Sequence, residues 1–339
     1  MRGLRKYLTP FAPDQSGAVS VLFELGGIVV ICDAGGCTGN VCGFDEPRWF
    51  EQKSAIFSAG LRDMDAILGR DDRLVAKLAD VVQKIDATFV AVIGTPVPAV
   101  IATDYLALKR MSEKKIKLPI LTVDTDGMEL YDKGEEKAFL ELFKIFAIEK
   151  YQAEEDRIGI LGMTPQDVSD LDAADKIRDL YQQKYGKQAV CYCMGDGLEE
   201  IREASSVSRN IVVSPAALMT AKYLEKTFGT PYEIHYPLVD ALTQDVDYTG
   251  KEVLIVHQQV IANSIRKELL KKGAKRVQIA SWFMMKKELL ADGDVLLRDE
   301  DAYIELVQNG DFDIIFADGC MERMIPEFKG IFVDTRHFA

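Results

Sequence analysis

Short runs of β-branched and apolar residues recur along this chain, and a helix-length amphipathic stretch follows most of them. This order leaves few choices of fold. A strand that is apolar on both faces must be covered on both faces, and a strand–helix–strand order does so with parallel sheets. The runs are Ile28–Cys32, Ala87–Ile93, Pro119–Asp124, Arg157–Gly162, Ala189–Cys193, Asn210–Val213, Glu252–His257, Arg276–Ala280, Asp313–Ala317 and Ile331–Val333. Helices are expected over Ser16–Leu25, Arg73–Ile85, Ala99–Lys115, Asp172–Tyr185, Leu198–Ala204, Pro215–Phe228, Ile261–Lys272 and Asp301–Asn309. With 339 residues the chain is too long for one ordinary core. The strands restart at Arg157 and Glu252. The expectation is an α/β protein of three Rossmann-like parallel-sheet units, over residues 1–150, 151–245 and 246–339.

Composition narrows the partners. The hydrophobic fraction of 48% supplies real cores, and a formal net charge of -13 repels phosphate backbones and anionic lipid. Nucleic acid is therefore not an expected partner. The most apolar stretch, Phe89–Leu108, is broken by Pro96 and Pro98 and carries Asp104, so no membrane span is expected. Met1–Pro10 has basic residues but no apolar run behind it, unlike a secretory signal. The expected compartment is the cytoplasm. There the six cysteines, Cys32, Cys37, Cys42, Cys191, Cys193 and Cys320, are thiols available for metal or redox work.

The segment with most chemistry is Ile31–Trp49, which holds Cys32, Cys37 and Cys42 around Gly35, Gly36 and Gly39. A cysteine on a glycine turn at a strand end can present a thiolate outward, and the glycines let backbone N–H groups approach a sulfur-rich ligand. Gly35, Gly36, Cys37 and Thr38 are the residues so placed, with Cys42 one turn on. Two thiols do not close a cluster that wants four ligands. The competing reading makes Cys32 a core residue of its strand and Cys42 a small apolar filler. The turn has no lysine and matches neither the P-loop nor the G-x-G-x-x-G pattern, so it does not read as a nucleotide site.

Other groups read more plainly. Cys191 and Cys193 alternate onto one face of a strand and are expected to pack there. Cys320 ends a strand after Asp318–Gly319 and either faces a central cleft or does nothing. Among His235, His257 and His337 no H-E-x-x-H pattern occurs, and His257 is a strand-end histidine, either satisfied locally or facing a cleft. Asp124 and Asp126 are expected to cap a turn. Ligands of open α/β sheets gather at strand carboxyl ends. The expected substrate cleft is lined by the turns after Ile93, Cys193, Val213 and His257.

The stretch from Pro13–Gly17 through Leu25–Gly39 resembles the first cluster-binding strand and turn of nitrogenase component 1 proteins, in which a G-x-x-G-C-like turn supplies a cluster cysteine. Val92–Asp104 is similar to the family's C-P-x-x-x-I-G-D-D segment, and Pro119–Gly127 to the strand that ends in a D-T-x-G-like turn. The likeness continues through Arg157–Gly162, Gly195–Gly197, Asn210–Pro231 and Arg336–Ala339, the last resembling a P-H-x-A segment, and so covers nearly the whole chain. There are departures. Thr95 stands where a cluster cysteine is common, and Ser214 near the place where the catalytic nitrogenase subunit holds its large metal cofactor by a cysteine. A further cluster cysteine before Cys37 is missing.

The resemblance implies an electron-accepting reductase component. It would take electrons from a separate ATP-dependent iron protein and pass them through an iron–sulfur cluster to a small-molecule substrate. The departures imply the short nitrogenase-like proteins rather than the full enzyme. With Thr95 in place of a cysteine, the expected [4Fe–4S] cluster is shared across a homodimer or with a paralogous subunit, Cys37 and Cys42 being its ligands and Gly35, Gly36, Thr38 and Thr95 lining it. The alternatives are a scaffold or carrier for a metal cofactor, and a cluster-less binding protein of the same fold. The catalytic residues stay unassigned.

Overall fold

The computed structural model describes residues 5–243 and 246–337. Asp245, the expected end of the second unit, and Phe338 and Ala339 of the P-H-x-A-like segment lie outside the described residues. The chain is α/β with three parallel sheets. The first, in the order β2-β1-β3-β4, is built from β1 (Ile28–Ile31), β2 (Ala55–Ser58), β3 (Val90–Ile93) and β4 (Ile120–Val123). The second, β6-β5-β7-β8, is built from β5 (Glu154–Leu161), β6 (Gln188–Cys191), β7 (Val207–Val212) and β8 (Tyr232–Ile234). The third, β11-β10-β9-β12-β13, comprises β9 (Glu252–Val256), β10 (Arg276–Ser281), β11 (Val295–Leu296), β12 (Ile314–Ala317) and β13 (Ile331–Asp334).

β1, β3 and β12 are buried at every position, as strands covered on both faces must be. The chain order reverses between β1 and β3, between β5 and β7, and between β9 and β12. Each reversal opens a crevice at the carboxyl ends of its two strands, where α/β folds bind ligands. The glycine turn follows β1, so Cys37 sits at the first of these crevices. No helix among the described residues is long and apolar enough to cross a membrane.

Some elements differ from the expectation. The single helix expected over Ala99–Lys115 is two, Pro96–Val100 and Tyr105–Glu113. Asp104 starts the second by accepting a hydrogen bond from the Ala107 N–H at 3.0 Å, and Ala102 between them has φ 54°. The glycine turn is more regular than expected: a short helix over Gly36–Asn40 runs into one π-helical turn over Val41–Asp45. The sequence reading assigns no element to β2, β8 or β11, to Asp63–Leu68 or to the 16-residue helix Tyr131–Phe146. In the last, Asp132, Gly134 and Glu135 interrupt an otherwise apolar stripe, yet all three are buried.

That helix lies against Asp14–Leu22, whose nine residues are all buried. The two backbones approach closely because each presents a glycine. A Cβ on Gly17 would fall 1.9 Å from the Tyr131 carbonyl oxygen, and one on Gly134 would fall 1.7 Å from that of Asp14. The Asp14 carboxylate fixes the crossing by accepting the Asp126 and Gly127 N–H groups at 2.9 and 2.7 Å. Gly17→Ala and Gly134→Ala are each expected to lower stability by about 1–3 kcal/mol or more through overpacking, read as a lower urea midpoint. Gly43→Ala, with open space around its Cβ position, is the control and leaves the midpoint unchanged.

Candidate functional site

The carboxyl end of β1 is organised by one buried carboxylate. Asp33 accepts the Thr38 N–H at 2.8 Å, the Thr38 hydroxyl at 3.0 Å and the Ser58 hydroxyl at 2.6 Å. These bonds start the short helix that carries Cys37 and tie it to the end of β2. Gly35 takes φ 123°, which admits the reversal before that helix. Gly35 and Gly36 are exposed, with open space where a Cβ would stand. Thr95 comes from the end of β3 and is fully buried, its hydroxyl donating to the Cys32 carbonyl at 2.7 Å. Of the residues singled out in sequence, Gly35, Gly36, Cys37, Thr38 and Thr95 thus share one strand-end region, and Cys42 follows on the π-helical turn.

Cys37 and Cys42 are both partly exposed, whereas Cys32 is buried in the core. Burial and then Asp33 raise the Cys37 thiol above its ordinary value, with the Thr95 hydroxyl acting the other way. Burial and then Glu46 raise Cys42, and burial pushes Cys32 up to about 12. These are protonated thiols, so a metal would have to displace their protons. Among the described residues no group of three or more His, Cys, Asp or Glu could hold a metal ion. One chain alone therefore does not fit an iron–sulfur cluster.

Arg48, which the sequence reading passes over, anchors the same segment. It is 3% exposed. Its Nε donates to Glu46 at 2.7 Å, its Nη1 to Glu24 at 2.8 Å and to the Cys193 carbonyl at 3.2 Å, and its Nη2 to the Ser20 carbonyl at 2.7 Å. Glu24 in turn accepts the Gly195 N–H at 2.7 Å, so the segment after Cys42 is tied to the end of β6 in the second sheet. Burial works against the guanidinium charge, but Glu46 and Glu24 outweigh it and raise its pKa. The one sequence signal was a lone arginine within an apolar and acidic stretch.

Of the turns expected to line the cleft, those after Val213 and His257 are packed, while those after Ile93 and Cys193 keep Val97 and Gly195 exposed. Ser214 is buried, and the Val213 carbonyl accepts the Gln258 side-chain N–H at 2.7 Å. The His257 ring stacks on His337 at 4.4 Å between centroids. His337 Nε2 lies 2.8 Å from the Tyr131 hydroxyl, which also donates to Asp167 at 2.8 Å. Thr164 donates to Glu135 at 2.5 Å. Burial, reinforced by Asp167, holds Glu135 well above the carboxylate range, and burial with His337 holds His257 well below the usual histidine value. Nor do Cys191 and Cys193 share a face. The strand ends at Cys191, and Cys193 takes φ 67°, so Cys191 joins the core beside Ala174 and Ile177 while Cys193 joins the one beside Phe143.

An open cavity of about 340 Å³ lies beyond this packed region. Its walls come from the segment after β1 (Phe44, Asp45), the loop after β5 (Pro165, Gln166) and the turn after β12 (Cys320, Arg323), closed by Leu8–Ala12. Each of those strands flanks a reversal of strand order.

Arg48→Met would leave Glu46 and Glu24 without their counter-charge in the interior. It is expected to cost about 3–5 kcal/mol, seen as an early urea transition, with partial recovery in Arg48→Lys.

Comparison with known proteins agrees with this architecture. The profile of the nitrogenase component 1 type oxidoreductases matches residues 14–245. Over 181 residues the chain is 29% identical to the nitrogenase iron-molybdenum cofactor biosynthesis protein NifE of Clostridium pasteurianum, covering 52% of this chain and 38% of that protein. NifE of Bradyrhizobium diazoefficiens is 22% identical over 185 residues, covering 52% of this chain and 32% of that protein. The matches thus span about a third of these curated relatives. The structure of nitrogenase Cp1 at pH 6.5 superposes with a TM-score of 0.72 at 12% identity, over 99% of this chain and 87% of that one. The structure at pH 5 gives 0.73 at 14%, over 100% and 85%. At such identities the likeness is one of fold, while the profile match extends over well over half the sequence. The chain belongs to the nitrogenase component 1 type oxidoreductase family.

Proposed function

We propose that this chain is an electron-accepting reductase component. In this reading a [4Fe–4S] cluster is shared between two copies through Cys37 and Cys42 of each. An ATP-dependent iron protein supplies the electrons in the cytoplasm, and the acceptor is a small molecule. The units over residues 1–150, 151–245 and 246–339 are taken as the three structural divisions of this machine. A bound cluster would supply reversible one-electron transfer. The chain's own part is to hold the thiols. Asp33 orients the Cys37 helix, Thr95 closes the backbone behind it, and Arg48 fixes the segment after Cys42.

The carrying observation is the setting of the two cysteines. They lie partly exposed on segments that leave the carboxyl end of the first sheet, and that end is unusually apolar for a surface. Phe44 after β1, Ile67 after β2, Val100 after β3 and Met128 after β4 are 86%, 75%, 85% and 83% exposed. Exposed apolar groups on these segments favour burial against another protein surface, and a two-fold contact doubles two thiols to four. Thr38 and the open glycines leave room for a bulky inorganic group.

The names of the curated relatives favour a second reading, a carrier for a maturing metal cofactor. The packing at the junction of the sheets weighs against it. Tyr131, Asp167, His257 and His337 fill that region, and a bulky cofactor would need them displaced.

The test is Cys37→Ser, purified without oxygen beside the parent protein. The parent is expected to carry iron and sulfide and to give a paramagnetic signal on reduction, all lost in the variant along with the dimer's shared metal. Equal iron content and an unchanged signal would refute the ligand role, and a parent without iron would refute both cluster readings. Turnover with reductant, ATP and an iron protein separates reductase from carrier, since a carrier reduces no substrate and passes its metal to an acceptor protein.

A further inference from the structure

Two carboxyl groups meet in the interior where the three sheets join. Glu135, on the helix Tyr131–Phe146, is 0% exposed, and Asp167, in the loop after β5, is 1% exposed. The two side chains are hydrogen-bonded to each other. Each also has a hydroxyl donor of its own. Thr164 donates to Glu135 Oε1 at 2.5 Å, and Tyr131 to Asp167 Oδ1 at 2.8 Å. The other two oxygens, Glu135 Oε2 and Asp167 Oδ2, find no donor elsewhere in the protein. Ionised carboxylates are acceptors only, so a hydrogen bond between two of them requires a proton.

The surroundings oppose a second negative charge. The charges that act most strongly on Glu135 are the Asp167 and Asp132 carboxylates, and both add to the effect of burial. Asp132, on the same helix, is itself pushed up to about 6 by burial and accepts the Met284 N–H. The facing helix packs Gly17 against Glu135, and its acid, Asp14, is held by the Asp126 and Gly127 N–H groups. Beyond the end of β6 stands Cys193, a thiol kept protonated by burial, and the nearby Arg48 is saturated by Glu46 and Glu24. From the third sheet come two histidines. His257 Nδ1 accepts the Gln258 N–H at 2.8 Å and its Nε2 faces the Arg336 carbonyl at 3.1 Å, the pattern of a neutral ring. His337 Nε2 meets the Tyr131 hydroxyl at 2.8 Å and lies 3.8 Å from Asp167 Oδ1.

We infer that Glu135 and Asp167 share one proton at neutral pH, and that this proton latches the loop after β5 onto the helix Tyr131–Phe146, a contact that loosens as pH rises. Both strong bonds of that loop to the helix, from Thr164 and to Tyr131, end on the pair. The same loop carries Gln166, which donates to the Asp45 carbonyl, and with Pro165 it walls the open cavity. The latch therefore bears on the segment after Cys42 and on the cavity as well. The sign follows from the proton count. The closed pair holds a proton that separated, solvated acids release above about pH 5, so the closed state is favoured most at low pH and less with each step upward. Nothing in this depends on a bound cluster.

The experiment compares the full chain with Glu135→Gln and Asp167→Asn. Either amide supplies the missing donor permanently and keeps one negative charge on the pair, so both variants retain the contact. Carbon-13 NMR of protein labelled at the glutamate or aspartate side-chain carboxyl carbons should show one protonated acid of the pair at neutral pH. Its signal should disappear in Glu135→Gln and equally in Asp167→Asn, because the remaining acid then ionises. Amide hydrogen exchange of residues 164–168 reads the latch. Opening releases the shared proton, so in the parent the opening constant should rise about tenfold per pH unit relative to either variant. Both acids ionised with the proton on His337, a Glu135 still protonated in Asp167→Asn, or the same pH dependence of exchange in all three proteins would each overturn the assignment. Iron-free protein serves as well as loaded protein, so the outcome for Cys37→Ser leaves this result standing.

Discussion

The close crossing of the helices Asp14–Leu22 and Tyr131–Phe146 is the contact on which the rest of the molecule depends. Backbone meets backbone there because Gly17 and Gly134 have no side chains, and any Cβ would strike a carbonyl oxygen. The crossing sets the start of the longer helix. Tyr131, Asp132 and Glu135 consequently enter the interior together and meet groups from both other sheets: Asp167 and Thr164 after β5, Met284 after β10, and His337 after β13. A shift of an ångström at the glycines would pull all three away from their partners.

A common device holds the strand-end loops of this acidic chain. Buried or half-buried carboxylates accept backbone N–H groups and so fix irregular segments without regular structure. Asp33 does this for the Cys37 helix, Asp14 for the turn after β4, Asp132 for Met284 and Glu300 for Lys6–Leu8. Such charge-assisted bonds are the stronger kind. Arg48 is the complementary case, a buried cation saturated by two glutamates and three backbone or hydroxyl oxygens. Because its partners span the first and second sheets, the segment after Cys42 is braced from both.

The thiols and the open cavity are neighbours but distinct. The thiols of Cys37 and Cys42 face outward at an apolar end of the first sheet, a setting for a group that must be reached by another protein. The cavity opens behind Phe44 and Asp45, where the first, second and third sheets contribute one loop each. A short stretch of chain, Cys37 to Asp45, borders both.

Most strands were legible in the sequence because both their faces are buried, and a run such as Ile28–Ile31 can meet that demand only with apolar, β-branched residues, whereas the partly exposed β2, β8 and β11 were not read. The Cys37 turn was legible because glycines and a cysteine at a strand end have few other uses. By contrast, nothing local distinguishes Tyr131–Phe146, whose Asp132 and Glu135 look like solvent-facing charges until tertiary partners bury them. Two turns of the expected cleft are closed for the same reason. The sequence places strand ends near Val213 and His257, but nothing local shows that Gln258 reaches the Val213 carbonyl or that His257 stacks on His337 and closes the space. Local residue chemistry determined the parallel α/β units and the thiol turn. Strand order and the glycine-set helix crossing, which bring Asp45, Gln166 and Cys320 together from far apart in the chain, belong to the tertiary structure alone, because those contacts have no period or motif to announce them.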